Sequence, residues 1–186
     1  MNLIRKVLCA LALPLASAAW AGPMPDSAES ALGFRSFDLP AEQTGAFEMS
    51  FDATPLVDKI DVFTGIAADD PKVANDVAAM VRFNDSGTID VRNGGTFRAD
   101  QTLNYSAGKT YRMRMVVDLP KKTYSVFVTP PGQPEVALAK NYAFRSQQSS
   151  VQVLRKIVLA GFNQKSWPFT GPHRVSGVSL KPVANP

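Results

Sequence analysis

Four arginines in the middle of the chain are candidate ligand-binding residues. Arg82, Arg92, Arg112 and Arg114 each have an apolar residue as an immediate neighbour. Successive side chains of a β-strand point to opposite faces, so these arginines should project away from the core. If their strands share one sheet, the guanidinium forks can pair with carboxylate or sulfate groups of an acidic glycan. The sequence therefore predicts a binding site on an arginine-bearing sheet face, with Arg82 and Arg92 as the foremost candidates.

The same arginines have a second interpretation, as solvated charges that pair with nearby carboxylates. Asp61, Asp90 and Asp118 lie on neighbouring predicted strands and could supply such partners. Exposed ion pairs are common and contribute little to stability or binding. Both interpretations stay open at the level of the sequence.

Trp167 is a second candidate ligand-binding residue. It lies in the segment KSWPFTGPH, whose proline and glycine content is typical of a loop. An exposed indole face is a platform on which a sugar ring can stack. The alternative is that Trp167 closes the edge of a hydrophobic core.

Oxygen ligands are concentrated in residues 67–76. Asp69, Asp70, Asn75 and Asp76 are the residue types that Ca²⁺ prefers. No twelve-residue calcium-loop signature is present, and turns favour Asp and Asn for backbone reasons alone. We therefore expect no metal site and no cofactor, with a structural calcium ion in this loop as the alternative.

The numbers of histidine and cysteine exclude several catalytic sites. The chain has one His and one Cys, too few for a His/Cys zinc site. A Ser-His-Asp triad would need His173, which lies in the proline- and glycine-containing segment TGPHRVSG, where we expect a loop. The question of an enzyme stays open, and the sequence favours a protein without catalytic activity.

Alternating hydrophobicity predicts about ten short strands in a chain of 186 residues, enough for one domain. Turn residues at 84–87 and at 120–122 predict two hairpins. The pattern favours an all-β, two-sheet antiparallel jelly-roll sandwich over residues 45–183. Residues 22–44 are predicted to hold a leader and the first strand region, with 22–30 flexible.

Residues 1–21 have the features of a secretory signal peptide. Arg5 and Lys6 precede an apolar stretch that ends in small residues. Cleavage would remove Cys9 and lower the formal charge from +4 to +2, since those two basic residues leave. We therefore expect a secreted or periplasmic protein that has no membrane segment after cleavage and does not bind nucleic acid.

Three segments of the chain resemble the concanavalin A-like, laminin-G-like jelly-roll modules of secreted bacterial proteins that handle polysaccharides. The segments are AAMVRFNDSGTIDVRNGGTF, LNYSAGKTYRMRMVVDLPKKTYSVFVTP and VALAKNYAFR, and the likeness covers about residues 45–180. The resemblance implies the same two-sheet fold. It says less about activity, because glucanases, alginate lyases and binding modules share this fold. The glucanase pattern of alternating acidic residues and the Arg-x-Glu and Gln-Ile-His strands of the lyases are absent.

From the residues and the resemblance together, we expect a secreted, non-catalytic β-sandwich module. Its expected partner is a carbohydrate or extracellular polysaccharide, including an acidic one, bound through the arginine-bearing sheet face. Two alternatives stay open. One is a polysaccharide-active hydrolase or lyase, and the other is a structural or adhesive extracellular protein that pairs through a strand edge.

Overall fold

The computed structural model describes residues 22–162 and 169–183, and strands dominate them. In chain order the strands are β1 (Ser27–Glu29), β2 (Gly33–Gln43), β3 (Ala46–Pro55), β4 (Val62–Ala67), β5 (Val77–Phe83), β6 (Ile89–Asn93), β7 (Thr96–Arg98), β8 (Tyr111–Asp118), β9 (Thr123–Thr129), β10 (Val136–Ala143), β11 (Leu154–Gly161) and β12 (His173–Pro182). Two 3₁₀ turns, Ala74–Asp76 and Ser146–Gln148, lie between strands. In this part of the chain no helix has the length and apolar content needed to cross a bilayer.

The strands form two six-stranded sheets. The front sheet has the order β2-β11-β4-β5-β6-β7, and the back sheet has the order β1-β12-β3-β8-β9-β10. Neighbouring strands are antiparallel throughout. The predicted hairpins are present, since β5 pairs with β6 and β8 pairs with β9. The all-β, two-sheet antiparallel sandwich expected from the sequence is confirmed.

The main core lies between the two sheets and follows from period-two alternation. In β8, every second residue is buried, from Tyr111 through Met113 and Met115 to Val117. Burying a side chain of this size contributes roughly 1.5–3 kcal/mol. Tyr124 of β9 crosses the core completely, because its hydroxyl group reaches the backbone of the front sheet at Met80.

A second apolar cluster covers the outer face of the front sheet. Phe63 and Met80 are buried there, and so is Val158. The partly buried rings of Phe34, Phe97 and Phe162 pack against this cluster. As a result β4 is buried along its whole length. This sheet therefore presents an apolar outer face, which is unusual for an antiparallel sheet with one side toward water.

Two segments that we expected to be loops contribute to the back sheet. Ser27–Glu29 forms β1 within the predicted flexible leader and pairs with β12. His173 does not lie in a loop but begins β12, opposite Pro55 of β3. Both expectations were wrong because these strands pair with distant parts of the chain, which local proline and glycine content does not reveal. Residues 1–21, the predicted signal peptide, lie outside the described residues.

Candidate functional site

The four candidate arginines do not share one surface. Arg82 and Arg92 lie on β5 and β6 of the front sheet. Arg112 and Arg114 lie on β8 of the back sheet. The expectation of a single arginine-lined surface was therefore wrong, because the two hairpins that carry these residues belong to opposite layers of the sandwich. Any one ligand can meet only one pair.

The back-sheet pair is engaged with carboxylates. Arg112 lies 3.3 Å from Asp52, and Arg114 bonds to Glu135 at 2.5 and 2.9 Å and to Glu48 at 3.3 Å. The hydrogen bonds to Glu135 and Glu48 raise the pKa of Arg114, and burial lowers it. The hydrogen bonds outweigh burial, so the pKa lies above its usual value. This face carries a network of partly exposed ion pairs, close to the second interpretation of the sequence.

Arg82 of the front-sheet pair lines a cleft of about 300 Å³ on the outer apolar face, whereas Arg92 lies outside its lining. Phe63, Met80, Phe97 and Phe162 supply apolar surface, and Ala74 of the first 3₁₀ turn forms part of the wall. The polar lining comes from Asp61, Arg82 and Arg145. The combination of an aromatic floor and a few convergent charged groups is typical of a site for a small polar ligand.

Arg82 is held by two carboxylates at one end of this cleft. Its Nε and Nη2 donate to the two carboxylate oxygens of Asp90 at 2.9 and 2.8 Å, and its Nη1 donates to Asp61 at 3.2 Å. Burial alone would lower the pKa of Arg82, but the carboxylates raise it above its usual value. Burial raises the pKa of Asp61 despite the opposing charge of Arg82. Replacing Arg82 would leave two carboxylates without this partner, so Arg82 has a structural role as well as a place in the cleft.

The ring of Phe97 connects Arg82 with Arg92. The guanidinium carbon of Arg82 lies 3.7 Å from the ring centroid, and that of Arg92 lies 5.0 Å from it. Arg92 donates from Nε to the carbonyl oxygen of Gly94 at 2.9 Å, and no carboxylate of the described residues lies within ion-pair distance of it. Burial lowers the pKa of Arg92, and the positive charge of Arg82 acts in the same direction.

Arg145 is the residue that sequence analysis missed. It follows β10 and lies against β5, where its backbone N–H donates to the carbonyl oxygen of Ala78 at 2.8 Å. It is 6% exposed, and its Nη1 donates to the side chain of Asn75 at 2.7 Å. One signal was available, because residues 136–186 contain no Asp or Glu and so offer Arg145 no nearby acidic partner in sequence.

In the loop for which a calcium ion was the alternative interpretation, the carboxylate oxygens bond to protein donors. Asp70 accepts from Ser36 and lies 3.1 Å from Lys156, while Asp76 accepts from the backbone N–H groups of Lys72 and Val73. Asp69 lies 3.6 Å from Arg155. In residues 22–162 and 169–183, no three acidic, His or Cys side chains are grouped as metal ligands. Trp167, the other predicted binding residue, lies outside the described residues.

His173 is unavailable to a substrate. It is fully buried between the sheets, with its Nε2 2.8 Å from the hydroxyl group of Thr64 and its Nδ1 2.9 Å from that of Ser30. Burial lowers its pKa to about 3. The arrangement resembles a Ser–His dyad in its contacts, but its location in the core makes it a structural polar bridge between the two layers.

Comparisons with known proteins bear mainly on the fold. No protein-family model matches the chain. Among curated proteins, a gellan lyase from Bacillus sp. is 39% identical over 100 residues, which are 52% of this chain and 4% of that protein. The chain thus corresponds to a small part of this relative.

Solved structures of low sequence identity share the architecture. A glycoside hydrolase family 131 β-glucanase catalytic domain from Podospora anserina matches 86% of this chain and 72% of its own, with a TM-score of 0.57 and 10% identity. Lectin I-B4 from Griffonia simplicifolia matches 77% of this chain and 78% of its own, with a TM-score of 0.54 and 12% identity. A sialidase matches 83% of this chain but 15% of its own, with a TM-score of 0.56 and 16% identity. The chain has a concanavalin A-like jelly-roll fold.

Proposed function

We propose that this chain is a secreted or periplasmic, non-catalytic β-sandwich module that binds carbohydrate in the cleft of the front sheet. The observation behind the proposal is the cleft itself, in which apolar and aromatic side chains lie beside the guanidinium groups of Arg82 and Arg145. Sugar rings present apolar C–H faces that pack on aromatic rings and hydroxyl groups that bond to charged side chains.

The similar proteins support the same class of ligand. They are named as a gellan lyase, a β-glucanase and a lectin, and these names belong to proteins that handle polysaccharides or sugars. Three activities on one fold do not define an activity for this chain. The side chains of the cleft therefore decide between binding and catalysis.

The carboxylates at the cleft support binding over catalysis. Glycoside hydrolysis uses two carboxyl groups, one as acid and one as nucleophile or base. Here Asp61 and Asp90 both bond to the guanidinium of Arg82. A shared cation holds both groups as hydrogen-bond acceptors, which suits a fixed polar wall better than proton transfer.

A cleft-filling variant tests the proposal. In Ala74→Trp, an indole group would occupy the wall of the cleft, and we expect binding of soluble polysaccharides to fall at least tenfold by isothermal titration calorimetry. Val73→Trp is the matched control, since Val73 is the adjacent residue, is 54% exposed and does not line the cleft. Equal binding by both variants would contradict this location of the site.

A polysaccharide-active enzyme is the second candidate, and one observation favours it. Asp61 lines the cleft, and burial raises its pKa, as expected of a general acid. Release of reducing ends or unsaturated uronates from a polysaccharide panel, abolished in Asp61→Asn, would establish this function in place of simple binding.

A further inference from the structure

Arg145 has a feature that the fold does not explain. Its Nε is buried and has no hydrogen-bond partner, although the residue lines the cleft. Among the described residues, no carboxylate lies within 4 Å of its guanidinium, and Asn75 is the acceptor for Nη1 alone. An unsatisfied buried N–H is costly, and a charged one more so.

Arg92 is a second arginine without a carboxylate partner among the described residues, and its charge acts on Arg145. Burial lowers the pKa of Arg145, and the positive charge of Arg92 lowers it further. Asp61, which lines the cleft, and Asp90, which lies behind Arg82, both form ion pairs with Arg82. Neither Arg92 nor Arg145 forms an ion pair with a carboxylate of the described residues; their side chains bond to the carbonyl oxygen of Gly94 and the amide of Asn75. The two groups repel each other, and an anion close to them would relieve the repulsion.

We propose that the cleft is selective for sugars that bear a carboxylate group and that Arg145 is the residue that recognises this group. The inference rests on the proposed carbohydrate-binding function. Because Asn75 holds Nη1, the opposite edge of the guanidinium, formed by Nε and Nη2, is the edge without a partner. A planar carboxylate matches such an edge with two parallel hydrogen bonds. The positive charge of Arg92, which acts on Arg145 electrostatically, would add attraction for the anion.

A neutral sugar would leave the charge of this edge unpaired. Its hydroxyl groups could form ordinary hydrogen bonds in the cleft but would not neutralise the two cations. Discrimination arises because hydrogen bonds to charged groups are roughly twice as strong as neutral ones and because an unpaired buried group penalises the wrong ligand. The preference should weaken with added salt, as expected for interactions between charges.

The test compares one polymer in two chemical forms. Polygalacturonate oligosaccharides and the same oligosaccharides after reduction of their carboxyl groups to alcohols are titrated against the wild-type chain. We expect the acidic form to bind at least tenfold more tightly. In Arg145→Gln this preference should disappear, and in Arg145→Lys, which keeps the charge and loses the fork, it should be reduced. Arg112→Gln is the matched control, since it removes an arginine from the opposite sheet.

The outcomes separate this inference from the proposed function. Equal affinity for both forms, blocked by Ala74→Trp, would overturn the acidic selectivity and leave carbohydrate binding at the cleft intact. A preference for the acidic form that survives in Arg145→Gln but is lost in Arg112→Gln would assign recognition to the back sheet and overturn the role of Arg145. Failure of the wild-type chain to bind either form or any neutral glycan would overturn both proposals. Circular dichroism and thermal unfolding of each variant establish that it is folded before binding is compared.

Discussion

Acid should destabilise this protein through one residue. His173 is fully buried, its ring bonds to Thr64 and Ser30, and burial alone lowers its pKa from 6.5 to about 3. A histidine whose folded-state pKa is depressed favours the neutral form in the folded chain. The unfolded chain therefore binds the extra proton between these two values. Stability is complete above about pH 6.5 and is lost as the pH falls toward 3.

The size of the effect follows from linkage. One proton bound only by the unfolded state changes the free energy of unfolding by about 1.4 kcal/mol per pH unit. Because this slope applies only below about pH 6.5, roughly two of the pH units between 7.5 and 4.5 contribute, and the chain should lose about 3 kcal/mol. That is a large share of the roughly 5–15 kcal/mol typical of a domain. Carboxylates with a lowered pKa, such as Asp76, act in the same direction but only near or below their unfolded value of 3.8. Asp61, whose pKa is raised, acts in the opposite direction.

The measurement is urea unfolding of the chain at half-unit intervals from pH 7.5 to pH 4.5. The sequence contains a single histidine, so an affinity tag without histidine keeps the assignment unambiguous. The one imidazole signal in a nuclear magnetic resonance titration provides a check that requires no variant. An imidazole that titrates near pH 6.5 in the folded chain, or an unfolding free energy that stays constant from pH 7 to pH 5, would refute the reasoning.

Two further predictions concern the packing that supports the cleft. In Tyr124→Phe, loss of the hydroxyl group removes hydrogen bonds to backbone atoms of Met80 and Arg92, and we expect a cost of about 1–3 kcal/mol by urea unfolding. In Gly65→Ala, the new Cβ would lie 2.6 Å from Val77 Cγ1, and we expect about 1–3 kcal/mol of overpacking strain, measured as a lower Tm. Gly95→Ala is the control for the second variant, since its Cβ would meet nothing within 4 Å. A Tm for Gly65→Ala equal to that of the control would contradict the packing argument.

The sequence predicted the features that depend on neighbouring residues, namely strands and tight turns. Alternation identified β3, β8 and β9, and turn residues located the hairpins, because a strand's two faces and a tight turn are both set within a few positions. The phase of the alternation was also right, since Phe47 and Met49 of β3 are buried in the core. These features positioned Arg82 and Arg92 on the face away from the main core.

The sequence did not predict the features that depend on pairing between strands far apart in the chain. β3 pairs with β8 and β12, which are far along the chain, and this pairing assigns Arg112 and Arg114 to the opposite layer. No local pattern distinguishes a hairpin of one sheet from a hairpin of the other. Arg145 reaches the cleft because the connection after β10 lies across the front sheet and contacts β5. His173 joins a strand for the same non-local reason.

The contrast between Arg82 and Arg145 gives a physical criterion for separating structural from functional arginines in this fold. Arg82 makes three hydrogen bonds to two carboxylates, so its charge is satisfied before any ligand arrives. Arg145 is more buried and makes one side-chain hydrogen bond, to a neutral amide. The fold therefore bears a cost at Arg145 that a bound anion would offset. A ligand that removes this cost binds the folded chain and not the unfolded one, so binding must raise Tm, and the free energy of unfolding must rise with the logarithm of ligand concentration once that concentration exceeds Kd.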